Sequence, residues 1–232
     1  VLHLIPTQLA DPILASHILP AETIRLVQGI THVVAENAKS ARAFLKALGI
    51  AKPLADISIC ELNAHTPKES LPSLLEPARL GFDLALVSEA GAPGVADPGA
   101  ELVASAHREG IRVRPAVGPS AILLGLMASG LDGQRFAFHG YLPVDKPARA
   151  LALRELERES KIRRMTQLFI ETPYRNDALL TEVLTTLRPD TRLCVASGLT
   201  GDNERIETRP IADWRQRRVM IGKVPALFLF QA

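Results

Sequence analysis

Aromatic residues are scarce in this chain, only 4% of 232 residues, so its core must be built from aliphatic side chains, which the 47% apolar content supplies. Cysteine is nearly absent. Cys60 and Cys194 lie far apart in apolar runs, which predicts two buried small hydrophobes rather than a disulfide or a metal pair. His3, His17, His32, His65, His107 and His139 have no Cys or His partner at helical or knuckle spacing, so no metal is expected; His65 and His139 are kept as candidate site residues. No run approaches the ~20 uninterrupted apolar residues of a membrane helix. The opening Val1-Leu2-His3-Leu4-Ile5 lacks the length and basic preamble of a secretory leader, and a cytoplasmic protein with no membrane partner is expected. No Gly-x-Gly-x-x-Gly follows this first run and no Walker A pattern occurs anywhere, which disfavours dinucleotide and P-loop chemistry. Internal repeats and low-complexity tracts are also missing.

Positive charge is present but small in excess. The net charge is +2, with residues 1–118 carrying 10 Lys/Arg against 12 Asp/Glu and residues 119–232 carrying 17 against 13. In the basic half, Arg149, Arg154, Arg158, Lys161, Arg163 and Arg164 crowd one helical segment, and Arg215, Arg217 and Arg218 form a second cluster. A solvated face paired with Glu155, Glu157 and Glu159 and a set of RNA phosphate contacts both fit this pattern.

Short apolar runs alternate with amphipathic ones through the first half. Strands are expected at 2–6, 32–36, 57–62 and 84–87 and helices at 22–28, 40–48, 68–79 and 100–107, the rhythm of crossover units on a mainly parallel sheet. Beyond them the expected order is helix 121–129, strand 136–139, helix 148–161, strand 166–171, helix 176–187, strand 193–196, a hairpin arm at 205–209 and a closing strand at 226–230. Successive strands without intervening helices predict a mixed sheet there. The expected fold is α/β, with an N-terminal domain over 1–117 and a C-terminal domain over 118–232.

The most informative stretch is Val87-Ser88-Glu89-Ala90-Gly91-Ala92-Pro93-Gly94-Val95-Ala96-Asp97-Pro98-Gly99. It follows an unbroken apolar run and precedes helical spacing, with Asp97-Pro98 read as N-cap and first-turn residue. A strand that turns through such a loop into a helix presents backbone N–H groups where open α/β sheets hold their ligands. A second signal is Gly118-Pro119-Ser120-Ala121, in which Ser120 reads as the cap of the next helix.

These two loops, followed by Arg135-Phe136-Ala137-Phe138-His139-Gly140-Tyr141-Leu142-Pro143, resemble the tetrapyrrole methylase superfamily of S-adenosylmethionine-dependent methyltransferases. Within it they are most similar to the ribosomal RNA small-subunit methyltransferase I branch, ribose 2′-O-methyltransferases. Glu36-Asn37-Ala38-Lys39-Ser40, Leu62-Asn63-Ala64-His65 and Glu171-Thr172-Pro173-Tyr174-Arg175 extend the likeness over most of the chain. The resemblance implies two α/β domains with the methyl donor in the cleft between them, a homodimer, and an acceptor that is RNA ribose or, alternatively, a small molecule such as a tetrapyrrole. A donor-binding protein without catalysis is the other alternative.

On this reading Ser88, Ala90, Gly91, Pro93, Val95, Ala96 and Asp97 line one wall of the S-adenosylmethionine site, with Ser120 and Ala121 beside it. The resemblance adds Pro6 after the first strand and, in the second domain, Glu171, Leu199, Pro225 and Ala226. A ribose hydroxyl has a high pKa and calls for a base; Glu36, Glu89 and His65 are the candidates. Each also has a plain structural role open to it: Glu36 at a helix N-terminus, Glu89 closing its own loop, His65 at the turn before Pro67. The branch's pattern is broken at three places. Ile5-Pro6-Thr7-Gln8-Leu9-Ala10-Asp11 has no glycine, so close backbone approach is expected to be harder there. Glu36-Asn37-Ala38-Lys39 stands for Glu-Asp-Thr-Arg, and Ala196-Ser197-Gly198-Leu199-Thr200-Gly201 has lost three charges. A divergent paralogue is implied.

Overall fold

Four-residue apolar segments set the centre of the first sheet. The computed structural model describes residues 1–10, 15–50, 52–63 and 65–232, without the side chains of 15 and 16; the expectations for Asp11 and Ala64 lie outside the described residues. Two compact units are present, Val1–Ser120 and Ala121–Ala232.

In the first unit the described elements run β1 (Leu2–Ile5), α1 (Ala15–Ile18), α2 (Ala21–Gly29), β2 (His32–Ala35), α3 (Ala38–Ala47), β3 (Ser58–Glu61), α4 (Leu71–Leu74), α5 (Glu76–Arg79), β4 (Leu84–Val87), α6 (Ala100–Arg108) and β5 (Val113–Pro115). The strand order is β3-β2-β4-β1-β5 and every pairing between named strands is parallel. Val87 stands opposite both Ile5 and Ala35, so β1, β2 and β4 end at the same level. Alternation along the strands feeds two cores. Ile5, Val33, Ala35, Ala85 and Val87 pack with Val27, Phe44 and Leu45 from α2 and α3. Leu2, Val34, Leu84 and Leu86 pack with Leu71, Leu75, Leu102 and Ala106 on the opposite face. Covered on both sides, β4 is buried at all four residues, which explains its unbroken apolarity.

The second unit carries α7 (Ala121–Ser129), β6 (Phe136–Tyr141), α8 (Lys146–Arg163), β7 (Thr166–Glu171), α9 (Asn176–Thr186), β8 (Arg192–Ser197), β9 (Arg205–Pro210), α10 (Ile211–Arg215) and β10 (Ala226–Gln231). Its sheet, ordered β6-β7-β10-β8-β9, is mixed: β6 and β7 are parallel, the other pairs antiparallel. Phe169, Phe228, Phe230 and Trp214, four of the chain's ten aromatics, pack with Leu153, Leu179 and Val183 of α8 and α9.

Three sequence expectations are corrected. The helix expected at 68–79 is a 3-10 turn, Lys68–Ser70, followed by α4 and α5, because Pro72 and Pro77 cannot donate the backbone bonds that would join one continuous helix. Cys60 is exposed, on the edge strand β3, whereas Cys194 is buried; both are free. Asp97 does not cap α6. The N-cap is Gly99, at φ 135° and without a side-chain bond. A side chain at Gly99 would have its Cβ 2.7 Å from Leu86 Cδ2, so glycine is required both for conformation and for space.

Candidate functional site

Loop 88–99 leaves the carboxyl end of central β4 and is tied to the segment after β1. Thr7 and Gly91 exchange backbone hydrogen bonds of 2.9 and 3.3 Å in an antiparallel bridge. The Ser88 hydroxyl donates to the Gly91 carbonyl at 2.7 Å, and the Thr7 hydroxyl donates to the Ser88 carbonyl at 3.2 Å. The expected difficulty of backbone approach at residues 5–10 is met from the other side: Gly91, at φ 76°, brings its loop to Thr7. Pro6 is buried, and a Cβ on Gly118 would sit 2.6 Å from its ring. Glycine at 118 therefore lets the end of the β5 strand's loop close on Pro6.

Of the residues assigned to the donor in this unit, Ser88, Gly91 and Pro93 are buried, Asp97 and Ser120 half-buried, and Ala90, Val95 and Ala96 exposed. Ala96 adopts φ 62°, a left-handed conformation that costs a non-glycine residue about 1 kcal/mol and sets the direction of the chain into Asp97.

Three carboxylates feel one another's charge at this end of the sheet. Glu36 follows β2, Glu89 follows β4, and Asp97 lies late in the loop. Burial, then the Glu36 and Glu89 charges, push the Asp97 carboxyl up from 3.8 to about 6. Burial and the Glu89 charge also raise Glu36. Such mutual opposition to ionisation is how active-site carboxylates reach the working pH range. Neither glutamate plays the plain role open to it in the sequence. Asn37 caps α3, accepting from the backbone N–H groups of Lys39 at 2.8 Å and Ser40 at 3.4 Å, and Glu61 accepts from Ala38 N–H at 2.9 Å. The helix N-terminus is thus satisfied without Glu36. Glu89 reaches out of its loop to accept from the Ser40 hydroxyl.

His65 is not among the groups that shift Asp97 or Glu36. It is exposed on the turn after β3, its backbone N–H donating to Asn63 Oδ1 at 3.0 Å. His139 is tied to Gln167 Oε1 at 2.5 Å, near the start of β7. Thr7, Ser40 and Glu61 were missed as site-shaping residues; Asn37 three places before Ser40 is the capping signal that would have located the start of α3. Among the described residues no three His, Cys, Asp or Glu side chains are grouped to hold a metal ion.

In the second unit, Glu171, Leu199, Pro225 and Ala226 come to one end of the sheet. Ala226 is paired with Glu171 on one side and Ser197 on the other, and Gly198 N–H donates to the Pro225 carbonyl at 3.0 Å. Glu171 is buried and accepts from Arg175 and from Thr172 N–H. Ala121 opens α7. Among the six buried polar side-chain atoms of the described residues that lack a hydrogen-bond partner are Gln8 Oε1 in the first unit and Thr200 Oγ1 in the second. Both adjoin assigned donor segments, and unpaired polar atoms of this kind fit a ligand rich in N–H and hydroxyl groups, such as a nucleoside carrying an amino acid.

A family model of tetrapyrrole (corrin/porphyrin) methylases matches residues 15–214. A curated relative from Xylella fastidiosa named ribosomal RNA small subunit methyltransferase I is 36% identical over 69% of this chain and 55% of its own length. One of the same name from Escherichia coli O157:H7 is 29% identical over 91% of this chain and 70% of its own. The match spans about half the length of the first of these relatives. A crystal structure of diphthine synthase, 15% identical, shares the fold at a TM-score of 0.68 over 100% of this chain and 89% of its own.

Proposed function

The chain belongs to the tetrapyrrole (corrin/porphyrin) methylase family, and on that premise we propose that it is an S-adenosylmethionine-dependent methyltransferase acting on a ribose 2′-hydroxyl of ribosomal RNA. The observation that carries the catalytic part is the carboxylate group Glu36, Glu89 and Asp97, with Asp97 raised to about 6. The relatives' shared name supports the RNA acceptor. A cytoplasmic homodimer completes the reading.

When bound, the donor supplies an electrophilic methyl group on a sulfonium. In the first unit, the residues proposed to contact it are those of loop 88–99 and of the Pro6–Gly118 contact; the resemblance adds Glu171, Leu199, Pro225 and Ala226. Methyl transfer to oxygen is an in-line displacement in which alignment supplies much of the acceleration, so a loop fixed by the Thr7–Gly91 bridge suits it. The acceptor oxygen loses its proton as it attacks. Asp97 takes that proton, its pKa raised to about 6 by burial and then by the Glu36 and Glu89 charges. His65, a strand further out, is given no part in the proton transfer.

The test is a tritiated methyl donor incubated with the protein and total cellular RNA, with label counted on the RNA after protein removal, alongside calorimetry with S-adenosylhomocysteine. Heat with S-adenosylhomocysteine and label on the small-subunit RNA are expected. Heat without label shifts the acceptor to a small molecule or the protein to a silent binder, and no heat removes the methyltransferase reading.

A further inference from the structure

The second unit holds a cavity of about 320 Å³, outside the residues assigned to donor and base, between the edge of its sheet and the segment 219–224. Val195, Trp214 and Val219 give it an apolar floor, and Asn203, Arg205 and Glu207 line its polar side. Its volume lies at the lower end of the roughly 300–1,000 Å³ range of small-ligand pockets.

The charge at its mouth is unbalanced. Arg205, Arg209 and Arg217 all pair with the single carboxylate of Glu207, the first at 2.9 Å. Arg209, followed by the other two, holds Glu207 down to about 2, so one negative charge is shared among three guanidiniums and two positive charges are left over. Each guanidinium is about half exposed, at 53%, 40% and 44%. Exposed Arg218 lies next in the chain. Surplus guanidinium charge beside an apolar recess matches a phosphate joined to a base.

The other side of the same segment carries an aromatic platform. Tyr174 is 80% exposed, and Lys223 Nζ stands 5.4 Å from its ring centre. The platform and the cavity wall are joined by hydrogen bonds. Asn176 Nδ2 donates to the carbonyls of Val224 at 2.7 Å and Gly222 at 3.3 Å, and Asp177 Oδ1 accepts from Ile221 N–H at 2.7 Å. These bonds fasten the segment to the start of α9, immediately after Tyr174. In a chain with two tyrosines and one tryptophan, an almost fully exposed tyrosine capped by a lysine has no core role.

We propose that this surface, Tyr174 and Lys223 on one side and, on the other, the cavity lined by Arg205 and Glu207 with Arg217 paired to that Glu207, grips single-stranded RNA. One base stacks on Tyr174, a neighbouring nucleotide enters the cavity, and its phosphate lies on Arg205 and Arg217. Aromatic platforms interleaved with basic groups bind unpaired strands in this way, because every base has a face to stack. The inference rests on the RNA acceptor reading and names the part of the molecule that holds the acceptor strand away from the reacting hydroxyl.

The test is fluorescence anisotropy with a short labelled single-stranded oligoribonucleotide from small-subunit RNA across a salt series, using the full chain. The variants are Tyr174→Ala, Tyr174→Phe and the double change Arg205→Ala with Arg217→Ala, with S-adenosylhomocysteine calorimetry on each. Tyr174→Ala weakens RNA binding about tenfold, and Tyr174→Phe restores it. The double variant weakens binding and lowers the slope of log affinity against log salt by about one or two. Donor binding is unchanged in all three. If the unmodified protein binds RNA and the Ala variants bind it equally well, the site is wrong while the acceptor reading stands. If the unmodified protein binds no RNA, the acceptor reading fails and this inference with it. Loss of donor binding in the variants, or a change in sedimentation instead of in RNA affinity, also overturns the assignment.

Discussion

Asp97 is placed where its charge is unwelcome to the fold. Its carboxyl titrates near 6 in the folded chain against an ordinary value of 3.8, so the folded state binds more protons than the unfolded one across that window. Stability therefore falls as pH rises from about 4 to about 6 and stays lower above it. Asp97→Asn removes the penalty. Discounted for the residue's partial exposure, the variant is expected to be about 1 kcal/mol more stable than the parent at pH 7, with no gain below pH 4, while methyl transfer drops at least about a hundredfold; urea unfolding at the two pH values checks the first part. A variant that loses stability at pH 7 contradicts the electrostatic environment described for Asp97. Gly99 tests the loop itself. Its φ of 135° and the 2.7 Å approach to Leu86 predict that Gly99→Ala costs about 2–3 kcal/mol, read as a lower urea midpoint.

Secondary-structure elements carry their own polar debts. Arg149 of α8 donates two bonds to Glu182 Oε2 of α9 and reaches the carbonyls of Pro143 and Val144, with the two side chains 11% and 5% exposed. Arg149→Met leaves Glu182 buried and unpaired, and a loss of about 3 kcal/mol is expected. Adding Glu182→Leu recovers most of it, because an apolar pair of similar size suits this α8–α9 contact; a double variant as unstable as the single one contradicts that account. The basic helix read from the sequence is thus divided: Arg149 is a structural residue, and Arg154, Arg158 and Lys161 are exposed. Elements whose signals are local were legible in the sequence. Strand β4 and helix α6 were found because burial on two faces and helical spacing write themselves into consecutive residues. The break of 68–79 at its prolines was also visible but was outweighed by periodicity. The misreading of Asp97 as a cap has a different cause: Gly99 takes the cap position because Leu86 leaves no room there for a side chain, a contact that no local pattern records.

At the scale of the whole molecule, what the sequence left hidden is convergence. Glu36 and Asp97 are 61 residues apart, and they meet because β2 lies directly beside β4 while β1 is placed on the other side of β4. In the second unit, β10, the last strand, enters between β7 and β8 and sets Ala226 between Glu171 and Ser197. The resemblance supplied Glu171 and Ala226 as part of a set, and the strand order gives the physical reason they lie side by side. His65 was named for its chemistry, which residue type alone can suggest; it is exposed on the turn after β3.

The most direct test is the pH dependence of tritiated methyl transfer from S-adenosylmethionine to small-subunit ribosomal RNA, measured for the parent protein and for Asp97→Asn at saturating donor. The rate is predicted to rise with pH and level off above about 6, with the limb absent and the rate low in the variant. Absence of label on RNA while S-adenosylhomocysteine still binds, or a parent profile that Asp97→Asn leaves unchanged, would contradict the account.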